Sequence, residues 1–251
     1  MTSDARSAAP DPTTAADRRA AGSAVPVIHA VTTDEIVAAP DFADRARGVM
    51  RVLGARGAVH LRAPSLGGRA LHALAASLAG DARASRCALV INDRLDVALA
   101  ADADGVQLTS RSLTTGDARL ALRGTRSRRT LRVGASVHAA DEARAAAAAG
   151  ADWLVAGHVF ATASHAGAPA RGLAFLRQIA AEVPCPVIGI GGVLPRHVPL
   201  LLAAGAHGAA AIRGIWDAVD AERAAADYIS SYDASRNDGD GGGGDGSAAG
   251  H

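Results

Sequence analysis

The chain has 251 residues, 49% hydrophobic and 20% charged, with a net charge of +1; this is the make-up of one globular, barrel-sized domain with some terminal excess. The balance lacks the basic excess of a nucleic-acid binder, no apolar run reaches the ~18 residues of a membrane span, and the N-terminal stretch has no signal-like apolar core. Neither nucleic acid nor membrane is an expected partner, and the expected location is the cytoplasm. All 26 basic residues are arginine, which excludes Schiff-base catalysis and leaves arginine, backbone or metal for any phosphate grip.

In chain order, residues 1–22 read as a disordered N-terminal arm, 23–232 as the catalytic domain, and 233–251, with Gly241 to Gly244, as a disordered Gly/Asp-rich tail. Strand-like segments fall at 25–31, 57–62, 87–92, 105–109, 131–137, 152–157, 186–190 and 208–213. Helical patterns separate them, among them 141–149 and 195–204, and Ala-Gly-Ala at 149–151 and 204–206 reads as a helix stop. This alternation predicts a single (β/α)₈ barrel, with a doubly wound sheet as the alternative. Cys87 and Cys185 each lie in an apolar run and read as buried, reduced thiols.

Function in a barrel gathers at the C-terminal ends of the strands. The second segment ends in His60-Leu61-Arg62, where alternation puts His60 and Arg62 on one face. Arg62 suits a carboxylate or phosphate, or a structural ion pair. The third ends in Asn92-Asp93, which could hold a ligand or a metal or could cap the next helix. Gln107, on the fourth, offers both a donor and an acceptor. The fifth ends in Ser136-Val137-His138, and His138 has the chemistry of a general acid–base. The sixth runs into a small-residue loop from Gly157 to Gly172, a binding loop or lid in which Thr162 and Ser164 suit a carboxylate. His138, His158 and His165 do not make a convincing zinc set, and no metal site is expected.

The last two segments carry the strongest signal. Ile188-Gly189-Ile190-Gly191-Gly192 and Ala211-Ile212-Arg213-Gly214 are glycine-bearing turns on consecutive βα units. Such turns let the backbone approach an anion, and the following helix points N–H groups at it. A small phosphorylated ligand is the expected partner.

Several of these stretches together resemble the superfamily of thiamine phosphate synthase and the TenI-type thiazole tautomerase, over about residues 25–230. They are Val59-His60-Leu61-Arg62, Leu89 to Leu99 with Asn92-Asp93-Arg94, Asp104-Gly105-Val106-Gln107-Leu108, Gly157 to Thr162, and Ile190-Gly191-Gly192. The resemblance implies that Gly191, Gly192, Ile212, Arg213 and Gly214 clamp the phosphate of a thiazole phosphate. It implies a carboxylate-holding loop at Thr162, Ala163 and Ser164, and Arg62, Asn92 and Gln107 are the further substrate contacts expected from their places at the strand ends.

The synthase branch has Gln-x-Arg-x-Lys where this chain has His60, Arg62 and Pro64, and a magnesium-binding aspartate where it has Thr109-Ser110-Arg111-Ser112. Its lid ends Thr-x-Thr-Lys, against Thr162-Ala163-Ser164-His165 here. The segment around His138 and the Gly157-His158-Val159-Phe160 loop are closer to the TenI form. The expectation is therefore an isomerase of thiamine biosynthesis that aromatises a carboxylated dihydrothiazole phosphate, with His138 as the proton carrier and no metal or organic cofactor. The alternative, kept open by Asn92 and Asp93, is a divergent thiamine phosphate synthase that couples hydroxymethylpyrimidine diphosphate to thiazole phosphate with magnesium. A second alternative is a non-catalytic thiazole-phosphate-binding regulator. No patch in the sequence identifies an interface, although barrels of this kind often pair and a homo-oligomer stays open.

Overall fold

A computed structural model describes residues 25–125, 130–162 and 169–240, with side chains to residue 237. The eight strands are β1 (Ile28–Val31), β2 (Gly57–Leu61), β3 (Ala88–Asn92), β4 (Gly105–Leu108), β5 (Arg132–Val137), β6 (Trp153–Gly157), β7 (Val187–Ile190) and β8 (Gly208–Ala211). They are all parallel and pair in sequence order, and β1 also pairs with β8, so the sheet closes into a barrel. All eight expected segments are present. The last is shorter than expected, because Ile212 leaves the strand conformation and caps a short helix.

Ten α-helices are described: α1 (Asp34–Val37), α2 (Phe42–Leu53), α3 (Gly68–Ser85), α4 (Leu95–Ala100), α5 (Thr115–Arg123), α6 (Ala140–Ala148), α7 (Gly172–Glu182), α8 (Val198–Ala203), α9 (Arg213–Trp216) and α10 (Ala221–Asp240). The expected helix 195–204 opens as a 3₁₀ turn, Pro195–His197, before α8. Proline suits that position because the first turn needs no N–H from it. Helix α10 continues to Asp240, past residue 232 where the sequence pattern ends the domain. Residues 1–24 and 241–251, which hold the N-terminal arm and most of the C-terminal tail, lie outside the described residues.

The longer outer helices each bury one stripe. On α2 this is Phe42, Ala46, Val49, Met50 and Leu53, at the three- and four-residue spacing that keeps side chains on one face. Phe42 meets the buried Trp216 with ring centroids 5.6 Å apart. The outer strand faces join these stripes in one large core, whereas Val31, Ala58, Ala88, Val90, Trp153, Val155, Ile188 and Ala210 form a separate cluster inside the barrel. The interior is plugged by Trp153, which fits only because β4 and β5 carry glycine beside it. A methyl group at Gly134 would lie 2.2 Å from its ring, and one at Gly105 2.9 Å. The plug closes the lower barrel and leaves the C-terminal end open for a site.

The N-terminal end is held by carboxylates. Asp152 accepts from the backbone N–H of Val133 and pairs with Arg119, and Asp104 accepts from the N–H of Leu89. Cys87 and Cys185 are free and buried, and burial raises the Cys87 thiol to about 12, which keeps it protonated and inert.

Candidate active site

A cavity of about 660 Å³ opens above the plug at the C-terminal ends of the strands. Its wall takes alternate residues at the ends of β2 to β5, namely His60 and Arg62, Asn92, Gln107 and Thr109, and Ser136 and His138, together with the turns Ile190 to Gly192 after β7 and Ala210 to Gly214 after β8. Strand alternation is what brings them together, since every second side chain points inward.

The floor is a hydrogen-bonded chain of buried polar groups. His29 Nε2 lies 2.9 Å from the Pro26 carbonyl, and its Nδ1 lies 2.8 Å from His60 Nε2. A carbonyl only accepts, so His29 carries its proton on Nε2 and accepts at Nδ1; His60 then donates from Nε2. Both rings are neutral, because burial pushes His29 down to about 4 and His60 well below the ordinary imidazole value. His60 also hydrogen-bonds the Asn92 side chain. Asn92 Oδ1 is left buried without a protein donor. An orphaned acceptor in the wall of a cavity is a place for a ligand's N–H or O–H.

Gln107 is more constrained than the sequence suggests. Its Oε1 accepts from Trp153 Nε1 at 2.8 Å and its Nε2 donates to Ser136 Oγ at 3.0 Å. It ties the plug to β5 and orients Ser136. Neither Trp153 nor Ser136 was identified as a contributor to the site; a tryptophan flanked by glycines on the neighbouring strands was the available signal.

Asp93 neither faces the cavity nor caps the next helix. It sits at φ +62°, and its Oδ1 accepts from Thr109 N at 2.9 Å and Thr109 Oγ1 at 2.7 Å, fastening the β3 end to the β4 loop. His138 stands at the rim, with its side chain half exposed. Its N–H donates to Glu142 Oε2 at 2.7 Å, and its Nδ1 is 3.6 Å from the same oxygen.

The residues expected to hold a phosphate come together at one side of the cavity. Gly191 and Gly192 have φ of +100° and +63°, and the backbone passes so close to the β6 loop that a methyl at either would meet it at 2.3 Å. The β6 loop is paired to this turn by Val159 N to Ile190 O and Phe160 N to Gly191 O, at 2.8 and 2.9 Å. Tyr228 of α10 donates to the Val193 carbonyl at 2.7 Å and packs on Gly214, so the C-terminal helix braces both turns. Ile212, Arg213 and Gly214 line the cavity beside them, as does Thr162. Ala163 and Ser164 lie outside the described residues.

Magnesium does not fit the residues present. Among the described residues no aspartate or glutamate lines the cavity, and no three His, Cys, Asp or Glu side chains gather to hold a metal. A hard divalent cation needs such oxygen donors.

A family model described as thiamine monophosphate synthase, TMP-TENI, matches residues 28–215. A thiamine-phosphate synthase of Moorella thermoacetica is 35% identical over 79% of this chain and 91% of its own length. One from Syntrophomonas wolfei is 37% identical over 68% of this chain and 80% of its own. Among solved structures, thiamine phosphate pyrophosphorylase from Pyrococcus furiosus superposes with a TM-score of 0.71 at 29% identity, covering 83% of this chain and 96% of that one. These relatives carry the names of transferases, and they correct the isomerase reading. That reading gave the short stretch around His138 more weight than the likeness of the whole barrel, and the alternative, a synthase, is the better supported. The chain belongs to the thiamine monophosphate synthase and TenI family.

Proposed function

We propose that this chain is a transferase that joins hydroxymethylpyrimidine diphosphate to thiazole phosphate and releases diphosphate. The observation that carries the proposal is a cavity with two cationic poles. Arg213 and the glycine turns of β7 and β8 form one, and Arg62 and Arg111, after β2 and β4, form the other across the barrel mouth. Two phosphorylated substrates need two such poles. The relatives named as thiamine-phosphate synthases supply the reaction class.

The backbone of Gly191, Gly192 and Gly214, with Arg213, holds the thiazole phosphate, as helix- and turn-borne N–H groups do for anions. The thiazole nitrogen attacks the pyrimidine methylene carbon. A C–N bond forms, the C–O bond breaks, and the electron pair leaves on the diphosphate oxygen. Charge grows on that oxygen, and fixed guanidinium groups on its side of the cavity favour the transition state. The attacking nitrogen uses a lone pair and releases no proton, so His138 needs no role as a base. Thr162 and the acceptor Asn92 Oδ1 contact and orient the substrates.

The test is direct: incubate the purified chain with both precursors and follow thiamine phosphate and diphosphate by chromatography. The two products are expected in equal amounts. Absence of product at high enzyme, with and without magnesium, overturns the proposal.

A further inference from the structure

We propose that this chain binds the diphosphate group without a divalent cation, through the guanidinium groups of Arg62 and Arg111. The inference rests on the transferase reading above and specifies how that reaction's leaving group is held.

Three observations converge. The first is a missing ligand set. Ser112 stands where the family likeness implies a magnesium-binding aspartate, and its hydroxyl is hydrogen-bonded to the backbone of Thr109, at 3.2 Å to both N and O. Asp93, the other carboxylate of that corner, spends its Oδ1 on Thr109 and does not line the cavity. Residues 163–168, Ala-Ser-His-Ala-Gly-Ala, contain no carboxylate in their sequence.

The second is the sign of the wall. Arg62, Arg111 and Arg213 line it and no described acidic residue does, although Glu35 lies near enough to Arg213 to feel its charge. Such a wall repels a magnesium ion and attracts its counterpart, a polyphosphate. The third is preorganisation. The Arg62 backbone is clamped to Thr32 Oγ1 through both its N–H, at 2.9 Å, and its carbonyl, at 3.1 Å. Arg111 lies in the turn that starts at Ser110, and its backbone N–H reaches Thr109 Oγ1 at 3.4 Å, the same hydroxyl that donates to Asp93. The hydrogen bonds that remove Asp93 from metal duty thereby build the loop that carries Arg111. A guanidinium meets phosphate oxygens through paired N–H groups, and here it takes over the neutralising role of a cation.

The experiment is calorimetric titration of the full chain with inorganic diphosphate, in EDTA and in excess magnesium, alongside the coupling assay. Affinity in EDTA is expected to match or exceed that in magnesium. Arg111→Gln, on an exposed side chain, is expected to weaken metal-free binding about tenfold or more while the thermal midpoint stays in place. Ser112→Asp, which adds a carboxylate to the corner, is expected to make binding depend on magnesium. Binding that requires magnesium in the unmodified chain, or that Arg111→Gln leaves unchanged, overturns the inference. Coupling that proceeds only with magnesium overturns it and leaves the transferase reading standing. Metal-free, Arg111-dependent binding without coupling removes the transferase reading and leaves the arginine site standing.

Discussion

Gly192 has no room for a side chain. At φ +63° an L-residue is strained, and its Cβ would lie 2.3 Å from the Ala161 carbonyl oxygen, a backbone atom that cannot swing away. Gly192→Ala is therefore expected to push the β7 turn off the β6 loop and weaken binding of thiazole phosphate about tenfold or more, by the loss of aligned N–H donors. Titration of the variant with that ligand checks this, and affinity within about twofold of the unmodified chain would remove the turn from the phosphate site. At this scale the sequence was legible where a residue has one physical use. Glycines in a strand-to-helix turn announce a close approach, and they do line the cavity. It was less legible where a side chain can bond in several directions. Nothing in the sequence says that both ends of the Gln107 amide are already engaged, or that Asp93 turns toward Thr109. Those outcomes depend on which strand lies next door.

Helix α3 ends on Arg86, an exposed residue at φ +59° and ψ +18°, the left-handed conformation that glycine adopts without cost. An arginine there pays a backbone penalty of about 1 kcal/mol, partly offset by the entropy a glycine loses on folding. Arg86→Gly is expected to stabilise the fold by about 0.5 kcal/mol, and urea unfolding of the two chains compares them. An unchanged or lower midpoint would show that the arginine stem packs usefully on the helix end. The same contrast governs what could be read of the elements. Strands buried on both faces are short apolar runs, and all eight stand out against alanine-rich, charged helices. Boundaries were harder where the chain changes periodicity without a breaker. Helix α10 passes residue 232 because Asp233, Ala234, Ser235 and Arg236 continue its turns, with Asp233 reaching back to Arg56 on the barrel and Ser235 bonding the Ser231 carbonyl. Such ties come from the folded surface, and a polar stretch offers no sign of them beforehand.

For the molecule as a whole, the consequence of the buried His29–His60 pair is a pH dependence of stability. The His29 pKa falls from its ordinary 6.5 to about 4 in the folded chain, with burial as the main cause, and that of His60 moves the same way. Between those values the unfolded chain binds protons that the folded chain refuses, so stability falls as the pH falls. The effect is absent above about pH 7, grows below 6.5 and levels off near 4; for His29 alone it is on the order of 3 kcal/mol. Carboxylates whose pKa values are lowered on folding, such as Asp96 beside Arg94, act in a lower window, below their usual range near 3.8. The histidine step is thus separable from ordinary acid denaturation. Urea unfolding at pH 7, 5.5 and 4.5 is expected to show a loss of at least about 2 kcal/mol, with most of it already lost by the lowest of these values. The relay from Pro26 to Asn92 needs both rings neutral, and the folded chain keeps them so over this interval, so ligand binding at the cavity floor is expected to persist until the pH nears 4. A stability profile flat down to pH 4.5 would mean that the pair accepts a proton in place, and the assignment of Asn92 Oδ1 as the acceptor offered to the ligand would fall with it.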